Sequence, residues 1–152
     1  MSTASQPARL LFLCTGNYYR SRFAAILFNV LAAEMNLTWV ADSRGLALER
    51  GAGNIGPISA HALDGLAARG IPVEPPLRFP RALQPEDLHA SARVIALCEQ
   101  EHRPLMIERF APWADRVDYW QVDDVHTAEP ALALAAIERQ VRALIDHLRD
   151  ES

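Results

Sequence analysis

Cysteine is scarce in this chain: Cys14 and Cys98 are the only two in 152 residues. So low a count excludes a disulfide framework, and no cluster has the spacing of a structural zinc site. Excess charge is lacking too. The formal net charge is −4 and the pI is near 5.7, with basic residues scattered among acidic ones, so nothing points to nucleic acid or another polyanion as partner. No segment is an uninterrupted apolar run of membrane-spanning length. Met1-Ser2-Thr3-Ala4-Ser5-Gln6-Pro7 lacks the charged start and apolar core of an export signal. A soluble, cytoplasmic protein with a flexible N-terminus over residues 1–7 and no membrane partner is expected. Repeats and low-complexity stretches are absent as well. What is present is apolar bulk: half of the residues are hydrophobic, enough for one well-buried core and too few for two comfortable ones, so residues 1–152 are read as a single domain.

Strand-like and helix-like segments alternate along the chain. Residues 8–14 read as a first strand and 21–36 as a helix that is apolar on most sides, as expected of an element wedged between a sheet and other structure. Thr38–Asp42 reads as a second strand. Gly45 to Gly56 is a long loop carrying four of the seven glycines. Pro57–Arg69 reads as a helix with Pro57 in its first turn and Gly70 at its end. A proline-rich connector over 72–85 follows, then a short helix near Pro85–Ser91, a strand at 93–98, a helix near 102–110, a strand at 116–119 and a final helix over about 128–149. Such alternation predicts an α/β fold: a three-layer, doubly wound parallel sheet of about four strands with helices on both faces. In such sheets ligands bind beyond the carboxyl ends of the strands, where the loop after Leu13 lies.

That loop carries the chemistry. Cys14-Thr15-Gly16-Asn17-Tyr18-Tyr19-Arg20-Ser21 sits between the apolar run Leu10–Leu13 and the helix that begins at Ser21. A loop curling at a helix N-terminus aims several backbone N–H groups at one spot and makes a concave anion site. The same donors, with a guanidinium from the far end of the loop, favour the thiolate of a cysteine at its base. Five residues between Cys14 and Arg20 let the backbone circle one phosphoryl group while Arg20 offers its planar fork to two oxygens. Gly16 keeps a side chain out of the crowded ring, and Asn17 tolerates the left-handed conformation. Ser21 is placed to donate its hydroxyl to the sulfur and to cap the helix. Thr15, Gly16, Asn17, Tyr18, Tyr19 and Ser21 are the candidate phosphate-binding residues, with Cys14 and Arg20 as catalytic candidates.

On these residues the chain resembles the low-molecular-weight protein tyrosine phosphatases, which open with a strand running into Cys-x-Gly-Asn-x-Cys-Arg-Ser. Cys14, Gly16, Asn17, Arg20 and Ser21 match that pattern. The likeness continues through Asp42-Ser43, Ala62, Leu66, Gly70-Ile71 and Arg93–Cys98, and so covers nearly the whole chain. Two places depart from it. Tyr19 stands where the family carries a second cysteine that can protect the nucleophile as a reversible disulfide. Where many members follow an acid aspartate with proline and aromatic rings, this chain has Val125, His126 and Thr127. Counting from Val122 puts Asp124 on the family's aspartate, with Asp123 as runner-up. His126 is read as a surface or packing residue that lines the pocket mouth at most. Tyr18 and Tyr19 either replace the missing aromatic wall or pack against neighbouring loops. A bulky Tyr18 argues against phosphoarginine, which some relatives handle with a small residue there. Arg78 falls near a histidine that supports the loop in tyrosine-specific relatives.

The reaction implied is hydrolysis of phosphate monoesters on a phosphorylated protein, with phosphotyrosine foremost, or on a small molecule. Cys14 is the nucleophile and Asp124 the acid and then the base, with no metal and no cofactor. Arsenate reduction, known on the same scaffold, needs resolving thiols; only Cys98 remains, read as a small core residue, so an external thiol would be required. A phosphate or phosphoprotein binding module without turnover is the alternative from a different class.

Overall fold

The computed structural model describes residues 7–123 and 129–151. Four strands form one parallel sheet: β1 (Ala8–Cys14), β2 (Trp39–Gly45), β3 (Arg93–Ala96) and β4 (Asp118–Tyr119), in the order β2-β1-β3-β4. The chain runs outward from β1 to β2 and then crosses to the other side of β1 for β3. The carboxyl end of β1 therefore lies at the point where the winding reverses, the place such sheets leave open for a ligand. Among the described residues five α-helices complete the layers: α1 (Arg20–Glu34), α2 (Ala60–Ala67), α3 (Pro85–Ala90), α4 (Glu99–Arg109) and α5 (Pro130–Glu151).

The two-residue alternation of β1 sorts the helices onto the two faces. Leu10 and Phe12 point into one cluster with Phe23, Leu27 and Phe28 of α1, Leu66 of α2 and Ile137, Val141 and Ile145 of α5. Leu11 and Leu13 point the other way, onto Leu88 of α3 and Leu105 and Met106 of α4. Burial on both faces is why the run Leu10–Leu13 carries no polar residue. No helix among the described residues is long and apolar enough to cross a membrane.

Several boundaries differ from the sequence expectation, those of β2, α2 and α4 for local reasons. β2 continues through Ser43, Arg44 and Gly45 because their pairing with Phe12, Leu13 and Cys14 extends the ladder. α2 starts at Ala60 rather than Pro57, because Ser59 is the N-cap and its hydroxyl accepts from His61 N–H at 3.1 Å. Its C-terminal end is closed by Ile71 N–H to Leu66 O at 2.9 Å, with Gly70 at φ +78°, the left-handed turn glycine allows. α4 begins three residues earlier than expected, where the Cys98 carbonyl accepts from His102 N–H at 2.8 Å. β3 and β4 are shorter than the segments read from the sequence. Within the glycine-rich loop, Leu48–Gly51 winds as a 3-10 turn.

Candidate active site

The loop from Cys14 to Arg20 is built as a cradle. The carbonyls of Cys14 and Thr15 accept from Leu46 and Ala47 N–H at 2.9 Å each, and that of Tyr18 accepts from Ser59 N–H at 2.9 Å. The Asn17 carbonyl accepts from Arg22 Nη1 at 3.2 Å. Each of these carbonyls is thus turned outward to the surrounding structure. In a trans peptide the N–H lies opposite the C=O, so the amides of Thr15, Gly16, Tyr18 and Tyr19 turn toward the middle of the loop, where an anion would sit.

At the base, Cys14 Sγ lies 2.9 Å from Ser21 Oγ, and both residues are buried. The direction of this bond follows from Asn17. Asn17 Oδ1 accepts from Arg78 Nη1 at 3.1 Å and from Arg81 N–H at 3.0 Å, two groups that only donate. Asn17 Nδ2 is then the donor, to Ser21 Oγ and to Ser43 Oγ at 2.9 Å each. Ser21 Oγ accepts there, and its own hydrogen is left to point at the sulfur, where it stabilises negative charge. Asn17 itself sits at φ +51°, fully buried, held from four directions. Ser21 does not cap α1: it is the second helical residue, and the N-cap position is Tyr19 with no side-chain cap.

Two cations stand behind this relay. Arg22, buried in α1, also donates to the carbonyls of Pro57 and Arg78. Burial, and then the neighbouring Arg78 charge, pull its guanidinium down to about 10, so it stays a cation at neutral pH. Arg78 divides its fork between Asn17 Oδ1 and Ser43 Oγ, the latter at 2.9 Å, and lies 3.6 Å from Asp42.

Arg20 is buried, with Nη1 donating to Val122 O at 2.9 Å and Nη2 to Glu101 Oε2 at 2.6 Å. Glu101 also accepts from the Thr15 hydroxyl and lies 3.2 Å from His102 Nε2. His102 Nδ1 accepts from Cys98 N–H at 3.0 Å, which puts its proton on Nε2, facing Glu101 and Thr15. Burial pushes the Glu101 carboxyl up, but the bonds from His102, Arg20 and Thr15 outweigh it and hold the group well below the usual carboxylate range. The contact with Val122 also ties the cradle to the segment that leads into residues 123–124.

A cleft of about 430 Å³ opens above Cys14, walled by the cradle on one side and by residues of the 50–61 stretch on the other. Tyr18 lines it, with its hydroxyl donating to Ile55 O. Tyr19 also borders the cleft but is 6% exposed and packs into the core, edge-on to His61. So the two tyrosines divide the alternatives: Tyr18 faces the cleft and Tyr19 packs. Among the described residues no group of three or more His, Cys, Asp and Glu is arranged to hold a metal.

Cys14, Thr15, Gly16, Asn17, Tyr18, Tyr19, Arg20 and Ser21 are thus brought together. Asp124 lies outside the described residues, as do Val125, His126 and Thr127. Asp123 is exposed, its Oδ1 3.9 Å from Cys98 Sγ. Cys98 is buried. Sequence reasoning missed Ser43, Glu101 and His102. The signal available was a run of small residues, Ala41, Ser43 and Gly45, at alternate buried positions of β2, which leaves room for something beside the strand.

A strand–cradle–helix unit with a buried thiol at its base and a guanidinium at its end, set at the winding reversal of a parallel sheet, defines a cysteine-based phosphatase. The family model described as low molecular weight phosphotyrosine protein phosphatase matches residues 9–152, and the chain belongs to that family. A comparison with curated proteins finds no match. Among solved structures, the low molecular weight protein tyrosine phosphatase from T. tengcongensis is 25% identical, over 95% of this chain and 99% of that one, with a TM-score of 0.74. YfkJ from Bacillus subtilis is 22% identical, covers 99% of both chains and has a TM-score of 0.81. YwlE arginine phosphatase from Geobacillus stearothermophilus is 25% identical, over 95% of this chain and 92% of that one, at 0.69.

Proposed function

We propose that this phosphatase hydrolyses aryl phosphate monoesters, protein phosphotyrosine foremost, through a phosphocysteine on Cys14. The observation that carries the reading is the fixed donor chain from Asn17 through Ser21 to the Cys14 sulfur. The thiolate attacks phosphorus in line; the S–P bond forms as the bond to the leaving oxygen breaks, and Asp124 gives that oxygen its proton. The Asp124 carboxylate then takes a proton from water, whose oxygen attacks phosphorus. The S–P bond breaks, releasing inorganic phosphate and the thiolate. Loop amides and Arg20 bind the equatorial oxygens throughout, where preorganised donors give such sites much of their rate.

Phosphoarginine is the second reading, because a relative of 25% identity is an arginine phosphatase. Tyr18 favours the aryl ester: its ring lines the cleft next to the cradle, where a phenyl ring can pack on it. Hydrolysis of p-nitrophenyl phosphate, phosphotyrosine peptide and phosphoarginine peptide by wild type, Cys14→Ser and Asp124→Ala tests both. Cys14→Ser is expected to lose turnover while still binding phosphate, and Asp124→Ala to slow phosphotyrosine more than the better leaving group nitrophenol. Retained turnover in Cys14→Ser sinks the nucleophile, and faster release from phosphoarginine than from phosphotyrosine sinks the substrate assignment.

A further inference from the structure

The cleft is cationic well beyond the cradle. Of the described residues that line it, Arg20, Arg50 and His61 are the bases, and none is a carboxylate, although the chain as a whole carries a net charge of −4. Arg20 is already occupied by Glu101 and Val122. Arg50 is different: it is exposed, and its guanidinium makes no hydrogen bond or ion pair with a described residue. The reason lies one residue back on the same 3-10 turn. Glu49 is turned away from the cleft to Arg109, whose Nη2 donates to it at 2.6 Å and whose Nη1 also holds the Leu46 carbonyl. That clamp fixes the turn and commits the adjacent carboxylate elsewhere. Further along the same wall, His61 stands at the start of α2, edge-on to Tyr19 at 6.1 Å between ring centres. Between the two in sequence, the Ile55 carbonyl is held by the Tyr18 hydroxyl.

We propose that Arg50, with His61 on the same wall, forms a second anion subsite at the mouth of the cleft, so that the preferred substrate is an acidic phosphopeptide carrying Glu or Asp beside its phosphorylated residue. This rests on the phosphatase reading above. The phosphoryl group enters the cradle, the ring of the phosphorylated residue lies along Tyr18, and a neighbouring carboxylate meets the Arg50 guanidinium, beside which no described lining residue is a carboxylate. An arginine is suited to this because its fork meets a carboxylate with two parallel bonds. An exposed cation at the mouth also raises the local concentration of an anionic substrate.

The experiment compares two phosphotyrosyl peptides that differ only by Glu or Gln on either side of the phosphotyrosine, and reads the ratio of their kcat/KM, which divides out effects on the cradle. Wild type is expected to favour the Glu peptide by roughly threefold to fivefold, the size of one exposed ion pair. Arg50→Ala should bring the ratio near one, Arg50→Glu should invert it, and His61→Gln should lower it in part. Raising salt should shrink the wild-type ratio. A ratio unchanged in Arg50→Ala, or inverted in wild type, overturns the subsite. If wild type turns over neither peptide, the phosphatase reading fails on its own. The same ratio is then read as affinities of Cys14→Ser for the two peptides, and equal affinities overturn the subsite independently.

Discussion

Arg20 Nη2 donates to Glu101 Oε2 over 2.6 Å, so the guanidinium at the end of the cradle is ion-paired before any phosphate arrives. The pair aligns Arg20 but places a carboxylate beside the incoming dianion. The two effects separate by substitution. Glu101→Gln keeps an acceptor for Arg20 and Thr15 while removing the charge, and inorganic phosphate should inhibit it about twofold to fivefold more tightly than wild type. Glu101→Ala removes the support as well and should lower kcat. Product-inhibition constants for the two variants check the split.

The same carboxylate links the site to acid stability. Glu101 is held well below its unfolded value, about 4.3 for a glutamate, by His102, Arg20 and Thr15 against the cost of burial. A depressed carboxyl contributes stability that is present above the unfolded pKa and lost as pH falls toward the folded one. Wild type should therefore be more stable than Glu101→Gln at pH 7 by about 1 kcal/mol, and the gap should close on titration from pH 5 toward pH 2. Thermal melts across that range measure it; a gap constant with pH would contradict the linkage.

How much of this could be read from the sequence depended on the distance over which each contact acts. β1, the cradle and α1 are consecutive, and their apolar run, glycine and asparagine announced them. The alternation of strand-like and helix-like segments likewise pointed to helices on both faces of the sheet. What was not legible joins distant segments: Ser43 to Asn17, Arg78 to both, and Glu101 to Arg20, the last across 81 residues. No local pattern encodes such pairings. β2 was cut short after Asp42 because Ser43, Arg44 and Gly45 look like loop residues, yet Asp42 and Arg44 alternate with buried Ala41, Ser43 and Gly45 and pair with each other at 2.8 Å on the strand's other face. At α2, a proline drew the start too early when Ser59 was the capping residue.

Ser21 is the last link before the sulfur, and its hydroxyl cannot be replaced by water in a fully buried position. Ser21→Ala removes the donor to Cys14 and leaves Asn17 with Ser43 as its remaining acceptor. A hydrogen bond to a charged group of about 1.5 kcal/mol corresponds to roughly a tenfold loss in kcat/KM. Alkylation of Cys14 by iodoacetamide at neutral pH should slow in the same variant, a readout independent of phosphate binding. Unchanged alkylation would show that the hydroxyl does not act on the sulfur.

Arg78 supports Asn17 and Ser43 at once, which demands a planar fork. Arg78→Ala leaves a buried amide oxygen with one donor in place of two and should cost about 1–3 kcal/mol of stability together with kcat. Arg78→Lys can reach one partner and not both, so it should recover stability in part and activity less. Equal recovery of both would mean that charge, and not the geometry of the fork, is what the cradle needs.

Gly45 ends β2 directly beneath the cradle, and what a side chain would meet there sets the last expectation. A Cβ at this position would lie 2.5 Å from Leu48 Cδ2, 2.9 Å from the Thr15 carbonyl oxygen and 3.1 Å from Asn17 Cβ. The leucine tip can swing aside, but Thr15 O is backbone, already fixed by Ala47 N–H at 2.9 Å. Relief has to come from the loop that holds the phosphate. Gly45→Ala should therefore cost about 1–3 kcal/mol, as overpacking does, and should weaken phosphate binding along with stability. Gly53→Ala, where an added Cβ meets nothing within 4 Å, serves as the control on the same connection. Melting temperature and phosphate affinity of the two variants decide the matter: loss in both at Gly45 and in neither at Gly53 follows if the strand end and the cradle are packed as one unit.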